Sequence, residues 1–189
     1  SIRSDTPVRK DRLLRILYIY QFFATPEASL GLTRSYEFAR ALIDAGHEVT
    51  VLTSASNLPD EYQARFFTRG EIDGIEIHAV RVGYSNYMGH LRRIASFAAF
   101  MLASVWAALR VPRPDVIFAS STPITVALPG LAVARWKRVP FVFEVQDLWP
   151  EAAIQMGAIK RSGPIAVFAK KLERAAYSQA TSVVPVSPG

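Results

Sequence analysis

The sequence predicts an α/β domain built around a doubly wound, mostly parallel sheet. Short apolar runs typical of buried strands alternate with longer runs whose apolar residues recur at helical spacing. The helical runs are long enough to cross over between parallel strands, which takes about a dozen residues or more. The 189 residues are 50% hydrophobic and 20% charged, so the chain can bury a core, and disordered or collagen-like classes are excluded.

Two strands and one helix are predicted near the amino terminus. Ile16–Tyr20 is a continuous apolar run and Glu48–Thr53 is rich in β-branched residues, both typical of buried strands. Between them, the apolar residues of Leu32–Ala45 recur at helical spacing, and Gly46 stands where a glycine commonly ends a helix. Residues 1–12 are polar and charged, and we expect them to be a disordered leader before a single domain over 13–189.

A hairpin signal, Asp73 followed by Gly74, precedes the next predicted strand, Ile75–Val82. Alternate residues of this strand should point inward, namely Ile75, Ile77 and Ala79. A long helix is predicted over about Met88–Leu109, and Pro112 ends it.

Three strands and two helices complete the predicted fold. The strands are Asp115–Ala119, Pro140–Glu144 and Ser182–Val186. The helices are Ile124–Lys137 and Gly163–Ser178. The second helix is predicted to have one apolar face, made of Ile165, Phe168, Leu172 and Ala176. The six strands are expected in the order 3-2-1-4-5-6, or close to it, as in doubly wound sheets.

The net charge of +6 originates in the middle third of the chain, where residues 85–143 carry seven Arg or Lys and one Asp. Such a segment attracts nucleic acid, phosphorylated substrates or an anionic membrane, although an ordinary basic surface fits the charge equally well. The same segment contains the uncharged run Ile94–Leu109, which is shorter than the about 20 residues of a membrane span. We favour a buried helix for this run, ahead of interfacial contact and, last, a true span.

Composition excludes several kinds of chemistry. The chain has no Cys, which rules out disulfides, zinc–thiolate sites and a Cys nucleophile. Its three His are scattered and lack the spacing of metal ligands. Basic residues before Leu13 imitate a signal peptide, but Arg15 and Gln21 interrupt the apolar stretch that follows. We therefore reject a signal peptide and expect a cytoplasmic protein.

Ligands of an open parallel sheet bind beyond the carboxyl ends of its strands. This rule selects four loops, at residues 21–31, 120–123, 145–151 and 187–189. The first loop lacks the G-x-G-x-x-G pattern, which argues against NAD or FAD. Its Gly31, with Thr33 and Arg34, can still bring a phosphate or sugar to a helix amino terminus. The alternative is a turn glycine and a surface arginine, but the length of the loop slightly favours a functional role. In the second loop, Ser121 or Thr122 is interpreted first as a helix N-cap.

The third loop concentrates carboxylates and an aromatic ring. Glu144, Asp147 and Glu151 follow closely at the end of a predicted strand, where a general base or an acceptor-orienting carboxylate would be well placed. Trp149 could stack on a sugar ring. The structural alternatives carry equal weight: Asp147 in an Asx turn, Glu151 in a first helical turn and Trp149 in the core.

Four segments of the chain resemble the amino-terminal domain of the group 1 (family 4) glycosyltransferases of GT-B fold. They are RILYIYQFFATPEASLGLTRSYEFARALIDAGHEVTVLT, RPDVIFASSTPITVALPG, VPFVFEVQDLWPEAA and LERAAYSQATSVVPVS. The part EVQDLWPE is similar to sugar transferases that build cell-surface polysaccharides on lipid-linked acceptors, including fucosamine-transferase-like members. The four segments occur in the family's order and cover about residues 15–189.

This resemblance implies a retaining enzyme in which two Rossmann-like domains face a cleft, with no metal or other cofactor. The first domain binds a polyprenyl-diphosphate-linked or other saccharide acceptor. The second, which this chain lacks, binds the nucleotide-sugar donor, so the chain alone is expected to be inactive. By position, Gly31 matches a glycine beside the donor phosphates, and Asp147 matches the acid of a loop where many members have His-Asp. Here Gln146 precedes the acid, so no role of that His carries over.

The candidate catalytic residue is therefore Asp147. The candidate binding residues are Gly31, Thr33, Arg34, Glu144, Trp149 and Glu151. We also expect peripheral contact with the inner face of the cytoplasmic membrane through residues 84–110, chiefly at the helix start, where basic and aromatic residues suit the headgroup region. Alternatives are another nucleotide-sugar enzyme of similar fold, such as an epimerase, or a non-catalytic membrane-surface module. Nucleic acid is not an expected partner, because the basic segment lacks interleaved aromatics and known motifs.

Overall fold

The computed structural model describes residues 12–27, 33–83, 89–147, 150–155, 157 and 159–186. Two residues of the predicted site, Gly31 and Trp149, lie outside these ranges. So do most of the predicted leader and residues 84–88 of the predicted membrane contact.

Within the described ranges, the domain consists of a seven-stranded sheet and five α-helices. The strands are β1 (Arg15–Ile19), β2 (Glu48–Ser54), β3 (Phe67–Ile72), β4 (Ile75–Val80), β5 (Val116–Ser120), β6 (Phe141–Val145) and β7 (Ser182–Pro185). The helices are α1 (Arg34–Asp44), α2 (His90–Arg110), α3 (Ala127–Lys137), α4 (Glu151–Gln155) and α5 (Pro164–Gln179). Short 3₁₀ helices occur at Ala55–Asn57, Asp60–Gln63 and Ile124–Val126.

The strand order is β3-β4-β2-β1-β5-β6-β7, and every pair of neighbours is parallel except β3 and β4. The six predicted strands occur in the predicted order, so the mostly parallel α/β fold is confirmed. The prediction missed β3, because an exposed edge strand with the sequence FTRGEI has no continuous apolar run. The hairpin signal was correct: Asp73 and Gly74, with φ of 51° and 78°, connect β3 to β4.

Helices cover both faces of the sheet. Along β1, Leu17 and Ile19 pack in a core cluster with α2, α3 and α5, whereas Tyr18 packs with α1 on the other face. The residues predicted to point inward from β4, Ile75, Ile77 and Ala79, are fully buried. This arrangement explains the continuous apolar strand sequences, since both sides of each central strand face a hydrophobic layer.

The predicted apolar face of α5 is only half correct. Leu172 and Ala176 are buried, but Ile165 and Phe168 are 41% and 47% exposed. The first half of α5 contacts the 3₁₀ helix that follows β5, and a small side chain, Ala169, is buried there instead. Close approach of two helices selects small residues and leaves the larger ones at the side of the contact.

The long helix α2 has an unusual distribution of side chains. Its buried positions between residues 94 and 109 are mostly small or polar: Ser96, Phe100, Ser104, Ala107 and Ala108. Larger apolar residues form an outward row of Leu91, Leu102, Trp106 and Leu109, exposed by 83%, 65%, 40% and 40%. The expectation that this run mostly packs inward is therefore correct for one side of the helix only. By length and composition α2 could cross a membrane, but core helices of soluble proteins pass the same test.

A buried imidazole in β4 is expected to make the stability of the fold depend on pH. His78 is fully buried, and its Nε2 lies 2.8 Å from Glu76 Oε1. Burial lowers the pKa of His78 below its ordinary 6.5, although the neighbouring Glu76 opposes this shift. The unfolded chain then binds the proton more readily, so the stabilisation is complete above the ordinary pKa and is lost as the pH falls below it.

We expect the free energy of unfolding, measured in urea, to fall between about pH 7.5 and about pH 5.5. His78→Gln should show a smaller fall over the same range, and His47→Gln controls for the loss of an imidazole elsewhere. An unchanged pH dependence in His78→Gln would show that this residue does not cause it.

Candidate functional site

Polar side chains of the predicted loops meet at the carboxyl edge of the sheet. Ser120 ends β5 and pairs in register with Glu144 of β6. Both side chains are buried, although the strands around them are otherwise apolar. The first residue of α1, Arg34, reaches the same place from the loop after β1. This edge is where open parallel sheets bind their ligands.

Glu144 is the centre of a hydrogen-bond network with four donors. Arg34 donates to both of its oxygens, from Nη1 at 3.2 Å and from Nη2 at 2.5 Å. Ser120 Oγ and Gln146 Nε2 donate to Oε2 at 2.6 Å and 3.1 Å. Burial alone would raise the pKa of Glu144, but these hydrogen bonds outweigh burial and lower it. Three of these hydrogen bonds end on Oε2 and one on Oε1, and burial keeps the ionised carboxylate, which holds Arg34, away from solvent.

Arg34 is the part of this network that can meet a ligand. Its side chain is 53% exposed, whereas that of Glu144 is 5% exposed. The bidentate pair fixes the guanidinium plane and uses two of its five N–H donors. The hydrogen bond with Glu144 raises the pKa of Arg34, so the group stays cationic. A fixed and half-exposed guanidinium is suited to a phosphate or another anion.

Two tyrosines outside the predicted site lie beside the network, and Tyr18 contacts it. The Tyr18 hydroxyl lies 3.2 Å from Ser120 Oγ. Burial, followed by the charge of Glu144, raises the pKa of Tyr20. Both phenols therefore stay protonated, since burial also raises the pKa of Tyr18. Polar atoms within otherwise apolar strands were the signal that could have identified Tyr18 and Ser120 beside Glu144.

Asp147 is the exposed acid of the site. Thr122 Oγ1 donates a hydrogen bond to its Oδ2 at 2.7 Å. Thr122 has a φ of 106°, a strained value for a β-branched residue, and such strain concentrates at functional sites. Asp147 is exposed while Glu144 is buried, so of these two acids Asp147 is the one open to solvent.

The predicted N-cap role of the loop after β5 is wrong. Ser121 Oγ accepts a hydrogen bond from the backbone N–H of Gln146 at 2.9 Å, and Thr122 binds Asp147. The following 3₁₀ helix has Pro123 at its N-cap. The two hydroxyls therefore fasten the loop after β6 to the loop after β5, which keeps Asp147 at the edge of the sheet.

The remaining predicted site residues are not part of this network in the described structure. Glu151 begins α4, as its helical interpretation requires, and forms ion pairs with Arg161 at 3.1 Å and Lys170 at 3.3 Å. Thr33 is the N-cap residue of α1, and its side chain makes no capping hydrogen bond with the described residues. The roles of Gly31 and Trp149, which lie outside the described ranges, stay predictions.

Neither a metal centre nor the volume of a cavity identifies the site. No group of three or more His, Asp or Glu side chains in the described ranges is arranged to hold a metal ion. A cavity of about 840 Å³ lies at the opposite, amino edge of the sheet, beside Arg135, Trp136 and Arg138. No carboxylate lines it, so we assign the site by the chemistry of the carboxyl edge rather than by volume.

Comparison with known proteins identifies the family. Residues 32–189 match the family described as Glycosyl transferase 4-like domain. No curated protein matches the chain at a significant level. The structure of CalG4, the calicheamicin glycosyltransferase, is similar to this chain, with 16% sequence identity and a TM-score of 0.50. The matched region covers 92% of this chain and 48% of CalG4. UGT89C1 of Arabidopsis thaliana is similar as well, with 14% sequence identity and a TM-score of 0.55. The matched region covers 93% of this chain, and 45% of UGT89C1 in its UDP complex or 44% in its quercetin complex.

The chain spans less than half the length of these two glycosyltransferases. At such low identity the likeness shows a shared fold, which is the mostly parallel α/β fold of GT-B glycosyltransferases. The family match over most of the sequence goes further than the fold. The chain belongs to the family of glycosyl transferase 4-like domains.

Proposed function

We propose that this chain is the amino-terminal, acceptor-binding domain of a retaining glycosyltransferase. The enzyme would move a sugar from a nucleotide-sugar donor to a lipid-linked saccharide in cell-surface polysaccharide synthesis. One observation carries the proposal. At the carboxyl edge of a domain of this family, Asp147 is exposed and Arg34 is held by Glu144. The UDP bound to UGT89C1 supports a nucleotide-sugar donor.

Each residue of the site would have a distinct part in transfer. Asp147 would accept a hydrogen bond from the attacking acceptor hydroxyl and orient it, and Thr122 would keep the carboxylate in place. Arg34 would offset negative charge on a phosphate, and Glu144 would hold the guanidinium without touching substrate. A second domain, with no metal ion, would hold the donor. The sequence resemblance includes fucosamine-transferase-like enzymes, and it does not name the donor sugar.

Product analysis with a full-length protein that contains both domains tests this function. UDP-, GDP- and dTDP-sugars would be supplied with a prenyl-diphosphate-linked sugar, and the glycolipid product and its anomeric configuration would be determined by mass spectrometry and NMR. We expect product of retained configuration, formed also in EDTA. Inverted product would contradict the retaining mechanism, and conversion of the donor sugar without transfer would support an epimerase instead.

Docking on the cytoplasmic leaflet is the second part of the proposal, and the outward row of α2 supports it. Trp106 and Leu102 are exposed on this row, and the Arg110 guanidinium lies 3.8 Å from the Trp106 ring centroid. Aromatic and basic side chains beside an apolar face are typical of helices that lie in the membrane interface. Each Lys or Arg near an anionic surface contributes about 1 kcal/mol to binding. The expected contact therefore extends along α2 and is not confined to its start.

Vesicle flotation of the domain tests the docking. We expect binding to anionic vesicles that weakens with salt and falls at least about tenfold in Leu102→Glu, because a charge replaces apolar contact. Ala41→Glu, which adds the same charge on exposed α1 across the sheet, is the matched control. Equal vesicle binding by Leu102→Glu and the wild type would remove α2 as the docking surface.

A further inference from the structure

An apolar groove beside the candidate site has no part in the mechanism above. Its volume is about 320 Å³, and it lies between the first half of α2, the 3₁₀ helix after β5 and the start of α5. Apart from Arg93 and Thr125, all of its lining residues are apolar, among them Ile94, Met101 and Ile165. The exposed positions of Ile165 and Phe168, unexpected for an apolar helix face, belong to this groove.

The groove is connected to the site in two ways, through neighbouring residues of the chain and through a series of ring contacts. Pro123 lines the groove and directly follows Thr122, which donates the hydrogen bond to Asp147. On the other side, Tyr20 contacts Phe22, with ring centroids 6.3 Å apart, and Phe22 contacts Phe97 of the groove wall at 6.4 Å. A ligand with a polar group at the site can therefore extend an apolar part into the groove along the protein surface.

Charge at the groove restricts the kind of ligand. Arg93, in the first turn of α2, lines it. Apolar walls with a cationic group at one end complement a hydrocarbon that carries phosphate or diphosphate. Ala98 of the groove wall and Leu102 of the outward row are four residues apart, so the two surfaces meet on successive turns of α2. A hydrocarbon chain can thus pass from a bilayer surface into the groove.

We propose that this groove binds the isoprenoid units next to the diphosphate of a lipid-linked acceptor. The proposal rests on the proposed function, because it assumes that the enzyme uses a lipid-linked acceptor. It adds the place where the lipid part is recognised. A groove of this kind makes affinity depend on hydrocarbon length, by about fourfold for each methylene that is fully buried.

Binding of farnesyl diphosphate to this chain, in buffer without vesicles, tests the groove directly. Titration calorimetry should show farnesyl diphosphate binding at least about tenfold more tightly than inorganic diphosphate. Ala98→Phe, which fills the groove, should weaken farnesyl diphosphate binding at least about tenfold and leave inorganic diphosphate unchanged. The control is Ala95→Phe, the same change on the exposed side of α2.

Equal affinities for farnesyl diphosphate and inorganic diphosphate, or equal effects of the two Ala→Phe variants, would overturn the proposal. If Ala98→Phe does not fold, Phe168→Ala at the exposed rim replaces it, with the same expected weakening. The assay needs neither donor nor transfer. Loss of farnesyl binding with glycolipid synthesis intact would therefore refute the groove alone, and farnesyl binding in a protein that makes no glycolipid would refute the proposed function alone.

Discussion

Replacement of Asp147 by Ala in the full-length enzyme should lower kcat/KM for sugar transfer by about 10²- to 10⁴-fold, the usual effect of losing one positioned acid–base group. Asp147 is the exposed acid at the end of β6, and Thr122 holds it at 2.7 Å. The loss should appear mainly in kcat, since the carboxylate would orient a hydroxyl and contribute little to ground-state binding.

Steady-state assays with the lipid-linked acceptor measure this effect. Asp60→Ala, an exposed acid on a short 3₁₀ helix away from the network, is the control and should retain wild-type kinetics. If Asp147→Ala turned over like the wild type, the residue would have no place in the mechanism.

Glu144→Ala and Arg34→Ala should each lower kcat/KM by about 10- to 100-fold, because each removes the same charged hydrogen bonds. The double variant should be little worse than either single one, since Glu144 is expected to act through Arg34. Glu144→Ala should also lower the free energy of unfolding by about 1–3 kcal/mol, because Ser120 and Gln146 lose their shared acceptor.

A purely structural role for Glu144 makes a different prediction, which kinetics and urea unfolding can separate. In that case the kinetic effects of Glu144→Ala and Arg34→Ala would add in the double variant. Arg34→Lys provides a further check, because Lys keeps the charge but cannot form the bidentate pair, and we expect only partial activity.

Most of the sheet could be predicted because its central strands are buried on both faces. Continuous apolar runs such as β1 and β6 have that property wherever they occur, and their alternation with helices implies the parallel order. The edge strand β3 could not be identified in this way, since FTRGEI is partly exposed and has no continuous apolar run.

The sequence predicted where the site lies, but not how its residues are arranged. The rule that ligands bind at the carboxyl edge selected the loop that contains Asp147 and the loops next to Arg34 and Glu144. The different parts of the two acids could not be read from the sequence, because they depend on partners about a hundred residues apart: Arg34 and Glu144 are separated by 110 positions. Ser120 is marked in the sequence as a polar residue of an otherwise apolar strand, but only pairing of β5 with β6 brings it to Glu144.

The sequence by itself determined the fold class, the strand order and the edge at which polar groups collect, because these follow from local periodicity and from the few ways of connecting parallel strands. Only the tertiary structure decided which acid is buried, which is exposed and which side of α2 faces outward. Burial and hydrogen bonding set the charge and reach of Glu144 and Asp147, and these are properties of contacts between distant segments. The outward row of α2 likewise arises because small residues pack best against α3, which leaves Leu102 and Trp106 at the surface.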